Sequence, residues 1–253
     1  MAAELIRRTD NHGIRTLTLD APHNRNALSA QLMTELRTAL ADASAAKAIR
    51  AVLLTHTGNT FCAGADLSGA DGSATPHDLV QLLRTIVELP KPVVARADGH
   101  VRGGGLGLLG ACDISIASAA AASFAFTEVR IGVAPAVISM PLLPRLNPRA
   151  AARYYLTGER FNAAEAARIG LITDYGDTAD ATDAALHRLL TALRRCSPQG
   201  LAESKKLVTA EVLRTFDRDT DNLTALSTRL FGSAEAREGM TAFLERRDPE
   251  WAW

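Results

Sequence analysis

Apolar and polar positions divide the chain into two regimes. Over the first part, short apolar runs alternate with longer runs of helical spacing. Glu4–Thr9 and Ile14–Leu19 read as strands, joined by a turn at Asn11-His12-Gly13. Ser29 is placed to cap a helix that runs to about Lys47. Ala51–Thr55 reads as a short buried strand, followed by a turn at Gly58-Asn59. Leu79, Leu82, Leu83 and Ile86 recur at helical spacing within His77–Leu89. Pro92–Ala97 is again strand-like, a glycine-rich segment then leads into a helix, and Ile114–Ala117 and Ser123–Phe126 return to strand character. Repeated βα units of this kind favour a mostly parallel sheet covered by helices.

From Pro148 onward the pattern is helical almost throughout. The expected helices are Arg149–Leu156, Ala163–Ile169, Ala181–Arg195, Gln199–Arg214, Asn222–Phe231 and Ala234–Glu245, with Pro198 separating two of them. Such a portion packs on itself or on a neighbouring subunit. No internal repeat or low-complexity tail interrupts the chain.

Composition narrows this picture. With 253 residues, 47% of them hydrophobic, the chain can build one large domain or one domain with a helical appendage. Its 28 basic residues balance its 28 acidic ones, which removes any electrostatic argument for nucleic acid or a membrane surface. Cys62, Cys112 and Cys196 are far apart and odd in number, unlike a disulfide framework. The first residues lack the apolar core of a signal peptide, and no uncharged apolar run reaches membrane-spanning length. The expectation is a soluble cytoplasmic protein.

Candidate chemistry begins with Gly99 to Asp113, G-H-V-R-G-G-G-L-G-L-L-G-A-C-D. Glycine lets a ligand approach backbone N–H groups closely, and a helix starting there points unpaired donors forward. The segment suits negative charge, yet no acidic residue lies between Gly99 and Ala111. Gly105-Leu-Gly107-Leu-Leu-Gly110 formally matches a dinucleotide fingerprint, but Gly99-His-Val-Arg intervenes after the strand, against the geometry that motif needs. The six histidines form no metal-ligand spacing, no C-x-x-C exists, and no G-x-S-x-G elbow is present.

Two further segments matter. Asn59 to Leu67, N-T-F-C-A-G-A-D-L, reads by itself as an ordinary loop with Asp66 as a helix cap. Paired with the glycine segment, it becomes a second small-residue loop after a strand, and two N–H groups from separate loops can converge on one oxygen as an oxyanion hole. Phe126 to Pro135 holds Glu128 in an otherwise apolar stretch. It is a surface glutamate paired with Arg130, or a partly buried carboxylate whose raised pKa suits proton transfer near neutrality.

In this order and spacing the segments resemble the enoyl-CoA hydratase/isomerase (crotonase) family. The resemblance covers nearly the whole chain. It rests on Asn24-Arg-Asn-Ala27-Leu28, Phe61 to Leu67, Gly103-Gly-Gly105 with Cys112-Asp113-Ile114, and Glu128-Val-Arg-Ile-Gly132. Leu156-Thr-Gly158, Ala163 to Ala166, Gly170-Leu171 and Glu238 to Arg247 also fit. The resemblance implies an α/β fold, a crotonase-like spiral of ββα units with a helical C-terminal region. We divide it into a core over residues 1–195 and a helical region over 196–253 that serves trimerisation and covers the CoA.

The resemblance also implies an acyl-CoA thioester substrate, with no metal and no cofactor beyond the CoA of that substrate, and a homotrimer or dimer of trimers. The N–H groups of Ala65 and Gly104 match the family's oxyanion hole. Asn24 to Leu28, with Ala27 and Leu28, and Ala63 to Leu67, with Asp66 and Leu67, would line the path of the CoA. Arg25 is placed to meet its phosphates. Phe243, from its own or a neighbouring subunit, would lie near the adenine. The stretch from Leu67 to Leu83, with its Gly69–Thr75 loop, would shape the acyl pocket.

The chain departs from the family's pattern in two places. Two-glutamate hydratases carry one glutamate two residues after the triple glycine, where this chain has Gly107; the second position is Glu128. The P-G-A/G-G-G run that commonly follows is replaced by Pro135-Ala-Val-Ile-Ser139. A water above Gly107, or an acyl pocket enlarged there for a bulky group, is the expected consequence. Hydration of a 2-enoyl-CoA with Glu128 handling both protons is the first reading. Migration of a double bond from a 3-enoyl-CoA through the same enolate is the alternative, and acyl-CoA binding without chemistry is a third.

Overall fold

The computed structural model of the chain describes residues 4–67 and 74–253. β1 (Ile6–Asn11) and β2 (Ile14–Leu19) form an antiparallel hairpin. Its turn residues His12 and Gly13 take φ of 46° and 79°, the left-handed pair that suits the twist of the flanking strands. α1 (Ala30–Ala45) starts at Ser29, whose hydroxyl accepts from the Leu32 N–H at 3.2 Å. Three similar rounds follow. They are β3 (Ala51–His56), β4 (Thr60–Cys62) and α2 (Pro76–Glu88); β5 (Val93–Ala97), β6 (His100–Arg102) and α3 (Gly104–Ala111); then β7 (Ile114–Ser118), β8 (Ser123–Ala125) and a 3-10 turn, Glu128–Ile131. The chain continues through α4 (Ser139–Leu142), α5 (Pro148–Thr157), β9 (Phe161–Asn162), α6 (Ala163–Arg168), β10 (Asp174–Gly176), α7 (Ala179–Arg194), α8 (Pro198–Phe231) and α9 (Ala234–Glu245).

In each round the first strand joins one sheet and the second joins another. The larger sheet runs β1-β2-β3-β5-β7-β10, parallel except for the β1–β2 hairpin. The smaller runs β4-β6-β8-β9, parallel except at β8–β9. This is the ββα spiral, and it replaces the single covered sheet that the βα pattern favours. β4, β6 and β10 have three residues each and β9 has two, too few to show alternation in a sequence. Phe61, Phe124, Phe126 and Phe216 lie fully buried between the layers.

Gln199–Arg214 and Asn222–Phe231 are not separate helices: both belong to the 34-residue α8. The polar stretch between them obscures the periodicity, but tertiary contacts hold it helical. The Thr215 hydroxyl donates to the Met140 carbonyl at 2.7 Å, and Phe216 is fully buried. The boundary drawn after residue 195 falls in the link between α7 and α8, and α8 lies against α2 and α4. Among the described residues, no helix is long and apolar enough to cross a membrane.

Candidate active site

The site is assembled where the strands of the smaller sheet end. After β4 the chain turns at Gly64, with φ of +90°. A Cβ on Gly64 would lie 3.0 Å from the Arg102 carbonyl and 3.1 Å from the Gly104 nitrogen, so only glycine lets this loop rest on the start of α3. The loop is also tied to the preceding segment. The Ala63 N–H donates to the Arg25 carbonyl at 3.1 Å, the Leu28 N–H donates to the Gly64 carbonyl at 2.8 Å, and Leu28 and Ala65 form a parallel bridge. Asn26, fully buried, holds this segment in place by accepting from the Ala21 N–H and donating to the Thr57 and Thr60 carbonyls.

After β6, Gly103 takes φ of +48° and α3 begins at Gly104. The Gly104 N–H, in the first turn of the helix, has no acceptor within it. Ala65 is exposed and Gly104 half-buried, and Gly64, the residue directly before Ala65, rests against Gly104 where the two loops meet. Leu28 and Leu79 wall this point: a Cβ on Gly104 would lie 2.9 Å from Cδ1 of Leu28 and 3.5 Å from Cδ2 of Leu79.

After β8 the 3-10 turn carries Glu128, closed by Gly132 in the left-handed region at φ of 75°. Glu128 is only 9% exposed, and its Oε2 is buried with no hydrogen-bond partner. A Cβ on Gly103 would lie 3.5 Å from its Oε1, so the carboxyl faces the residue directly before Gly104. Arg130 does not neutralise it; that side chain is exposed and donates to the Thr157 carbonyl. Burial pushes the Glu128 pKa up to about 7, from the ordinary 4.5, against a smaller opposing pull from its own backbone. A carboxyl so poised can both take and return a proton near neutrality.

The remaining expected residues fall into two groups. Ala27 and Leu28 are buried beside the loop junction, Ala63, Asp66 and Leu67 are half-buried along it, and Arg25 is exposed at its edge. Of the Gly69–Thr75 loop, residues 69–73 lie outside the described residues. Phe243 is 57% exposed on α9, a helix that packs through Gly239 against Ile131 in the turn that carries Glu128. The room expected at Gly107 is absent. A Cβ there would overlap Cγ2 of Ile138 and lie 2.8 Å from its Cβ, with Leu83 Cδ1 at 3.3 Å. Neither a water above the Gly107 Cα nor an acyl pocket enlarged at that point fits this packing.

Ile138 and Tyr155 were not singled out from the sequence. The Tyr155 ring packs tilted against Phe126 with centroids 4.6 Å apart and its hydroxyl accepts from that of Ser139, and the negative charge of Glu128 adds to the burial that raises its pKa. The signal for Ile138 was its place in the altered run after Glu128. Among the described residues, no group of three or more His, Cys, Asp or Glu could hold a metal ion. The surface cavities at Arg8 and Asp42, and at Asp113 and Arg145, lie apart from Glu128.

The family described as enoyl-CoA hydratase/isomerase matches residues 9–252. A solved enoyl-CoA hydratase from Mycobacterium avium is 52% identical and superposes with a TM-score of 0.91, over 99% of this chain and 100% of that one. The 1,2-epoxyphenylacetyl-CoA isomerase of Escherichia coli is 33% identical, over 94% of this chain and 95% of its own length. The mevalonyl-coenzyme A hydratase of Aspergillus fumigatus is 30% identical, over 94% of this chain and 91% of its own.

Proposed function

The chain belongs to the enoyl-CoA hydratase/isomerase family, and on that footing we propose that it adds water to a 2-enoyl-CoA thioester, with Glu128 as acid and base. The observation that carries this reading is the buried Glu128 carboxyl, its Oε2 without a hydrogen-bond partner, facing Gly103 next to the Gly104 N–H. The thioester oxygen sits between the N–H groups of Ala65 and Gly104. The Glu128 carboxylate takes a proton from water as the water oxygen bonds to Cβ. The π electrons move onto the thioester oxygen, and the two N–H donors stabilise this enolate; losing one such donor typically costs about 3–4 kcal/mol of transition-state stabilisation. Collapse of the enolate takes the proton from Glu128 to Cα. The product is a 3-hydroxyacyl-CoA, and Glu128 is again ionised.

A second reading is favoured by the packing at Gly107. With one carboxyl and an apolar wall beside it, Glu128 can instead take a proton from C2 of a 3-enoyl-CoA and return it to C4, through the same enolate and without water. The test is one panel of 2-enoyl- and 3-enoyl-CoA thioesters followed by mass spectrometry and conjugation absorbance. Gain of one water supports hydration. A shifted double bond with no mass change supports migration. Tight binding with neither product across the panel overturns both.

The substrate's CoA would run past Arg25, Ala27, Leu28, Ala63, Asp66 and Leu67. The fully assembled site is a homotrimer or dimer of trimers. Large apolar side chains left exposed on the single chain, including Leu156, Leu207, Val208, Phe243 and Leu244, support such an assembly.

A further inference from the structure

Gly107 lacks a side chain, yet the ground above it is occupied. Ile138 is 2% exposed and fills the position a Cβ on Gly107 would take. Being branched at Cβ, it has few rotamers in which to move aside. The loop that presents it is held on both sides: the Ser139 hydroxyl donates to the Pro135 carbonyl at 2.6 Å, and the Ser139 N–H donates to the Ala136 carbonyl at 3.1 Å. Gly107 lies in the first turn of α3, which begins directly after Gly103, the residue facing the Glu128 carboxyl. The glycine on α3 and the isoleucine before α4 are therefore complementary halves of one wall. The two departures from the family pattern are a single feature.

We propose that Ile138 sets the partition between water addition and double-bond migration at this site, by filling the ground from which a second acid or base would order the attacking water. This rests on the reading that Glu128 acts on an enoyl-CoA. An ordered water needs several polar partners, and a sec-butyl side chain offers none. Water is thus held from the Glu128 side alone, whereas moving a proton from C2 to C4 needs no water. Ile138 is in this sense a specificity residue: it transfers no proton.

The test compares the wild type with Gly107→Glu, Ile138→Gly and the double variant. Initial rates of water addition to a 2-enoyl-CoA and of migration in a 3-enoyl-CoA are read alongside melting temperature. Gly107→Glu alone should lower the melting temperature and turnover, because the carboxylate meets Ile138. The double variant should recover stability relative to the summed single effects. Its ratio of addition to migration should rise by about 10²-fold, the low end of what a positioned acid or base contributes. Full stability and turnover in Gly107→Glu, additive melting shifts, or an unchanged ratio in a folded double variant would each overturn the proposal. If the double variant does not fold, Ile138→Ser with Gly107 kept supplies a hydroxyl that can hold water, and must raise the ratio; an unchanged ratio overturns the claim. A wild type that makes neither product overturns the enoyl-CoA reading and the partition with it, while the melting-temperature cycle still decides the complementarity of Gly107 and Ile138.

Discussion

Burial gives Glu128 both its reactivity and an unusual effect on stability. Its folded-state pKa of about 7 lies above the ordinary 4.5. The folded chain therefore binds more protons than the unfolded chain between those values, and stability falls as pH rises through the window. Its contribution is full below about 4.5 and is lost above about 7. Glu128→Gln should flatten this component, so that the variant loses less melting temperature than the wild type between the acid and alkaline ends of that window. The same substitution should lower turnover by about 10²- to 10⁴-fold, the usual contribution of a general acid–base group. Normal turnover of enoyl-CoA by the folded variant would remove Glu128 from the mechanism. If the ionised form takes the first proton, kcat/KM of the wild type should rise with pH through an apparent pKa near 7.

Elements are locked together by groups far from that site. Lys205 on α8 and Asp113, directly before β7, form an ion pair at 2.7 Å, with side chains only 5% and 10% exposed. Lys205 also donates to the Ile86 and Lys91 carbonyls, and Asp113 accepts from the Val93 N–H. Burial pulls the Lys205 pKa down and pushes that of Asp113 up, and each partner opposes the shift of the other. Lys205→Met would leave the carboxylate buried without its ion-pair partner, so we expect a loss of about 3–5 kcal/mol in urea denaturation. A change within experimental error would show that water reaches Asp113 readily. Tertiary contacts also carry α8 past the segment that periodicity marks. Periodicity can mark Gln199–Arg214, but a helix held to the core by Lys205, Thr215 and Phe216 continues through a polar stretch that no local pattern supports.

For the whole molecule, the spiral brings three successive strand ends to one place. The loop after β4, the start of α3 after β6 and the turn after β8 are separated along the chain, yet neighbouring strands of one small sheet deliver them side by side. The chain ends of this arrangement leave apolar α9 residues such as Phe243 and Leu244 in solvent. Light scattering on the purified protein should return the mass of a trimer or of two trimers. A monomer at working concentrations would overturn the trimeric assembly and leave Phe243 only the site of its own chain to serve.

Local chemistry was readable from residue order alone, because caps, turns and helical periods depend on neighbours a few positions apart. His12-Gly13 and Ser29 declared their conformations in this way, the glycines from 103 marked where a helix begins, and Glu128 stood out as a charge among apolar residues. Three-dimensional packing settled what depends on distant partners. It made Glu128 a buried carboxyl, it split the strands between two sheets, and it filled the expected space at Gly107 with Ile138. A glycine in a sequence reports a missing side chain; whether that leaves room or another residue's side chain depends on which distant segment the fold brings against it.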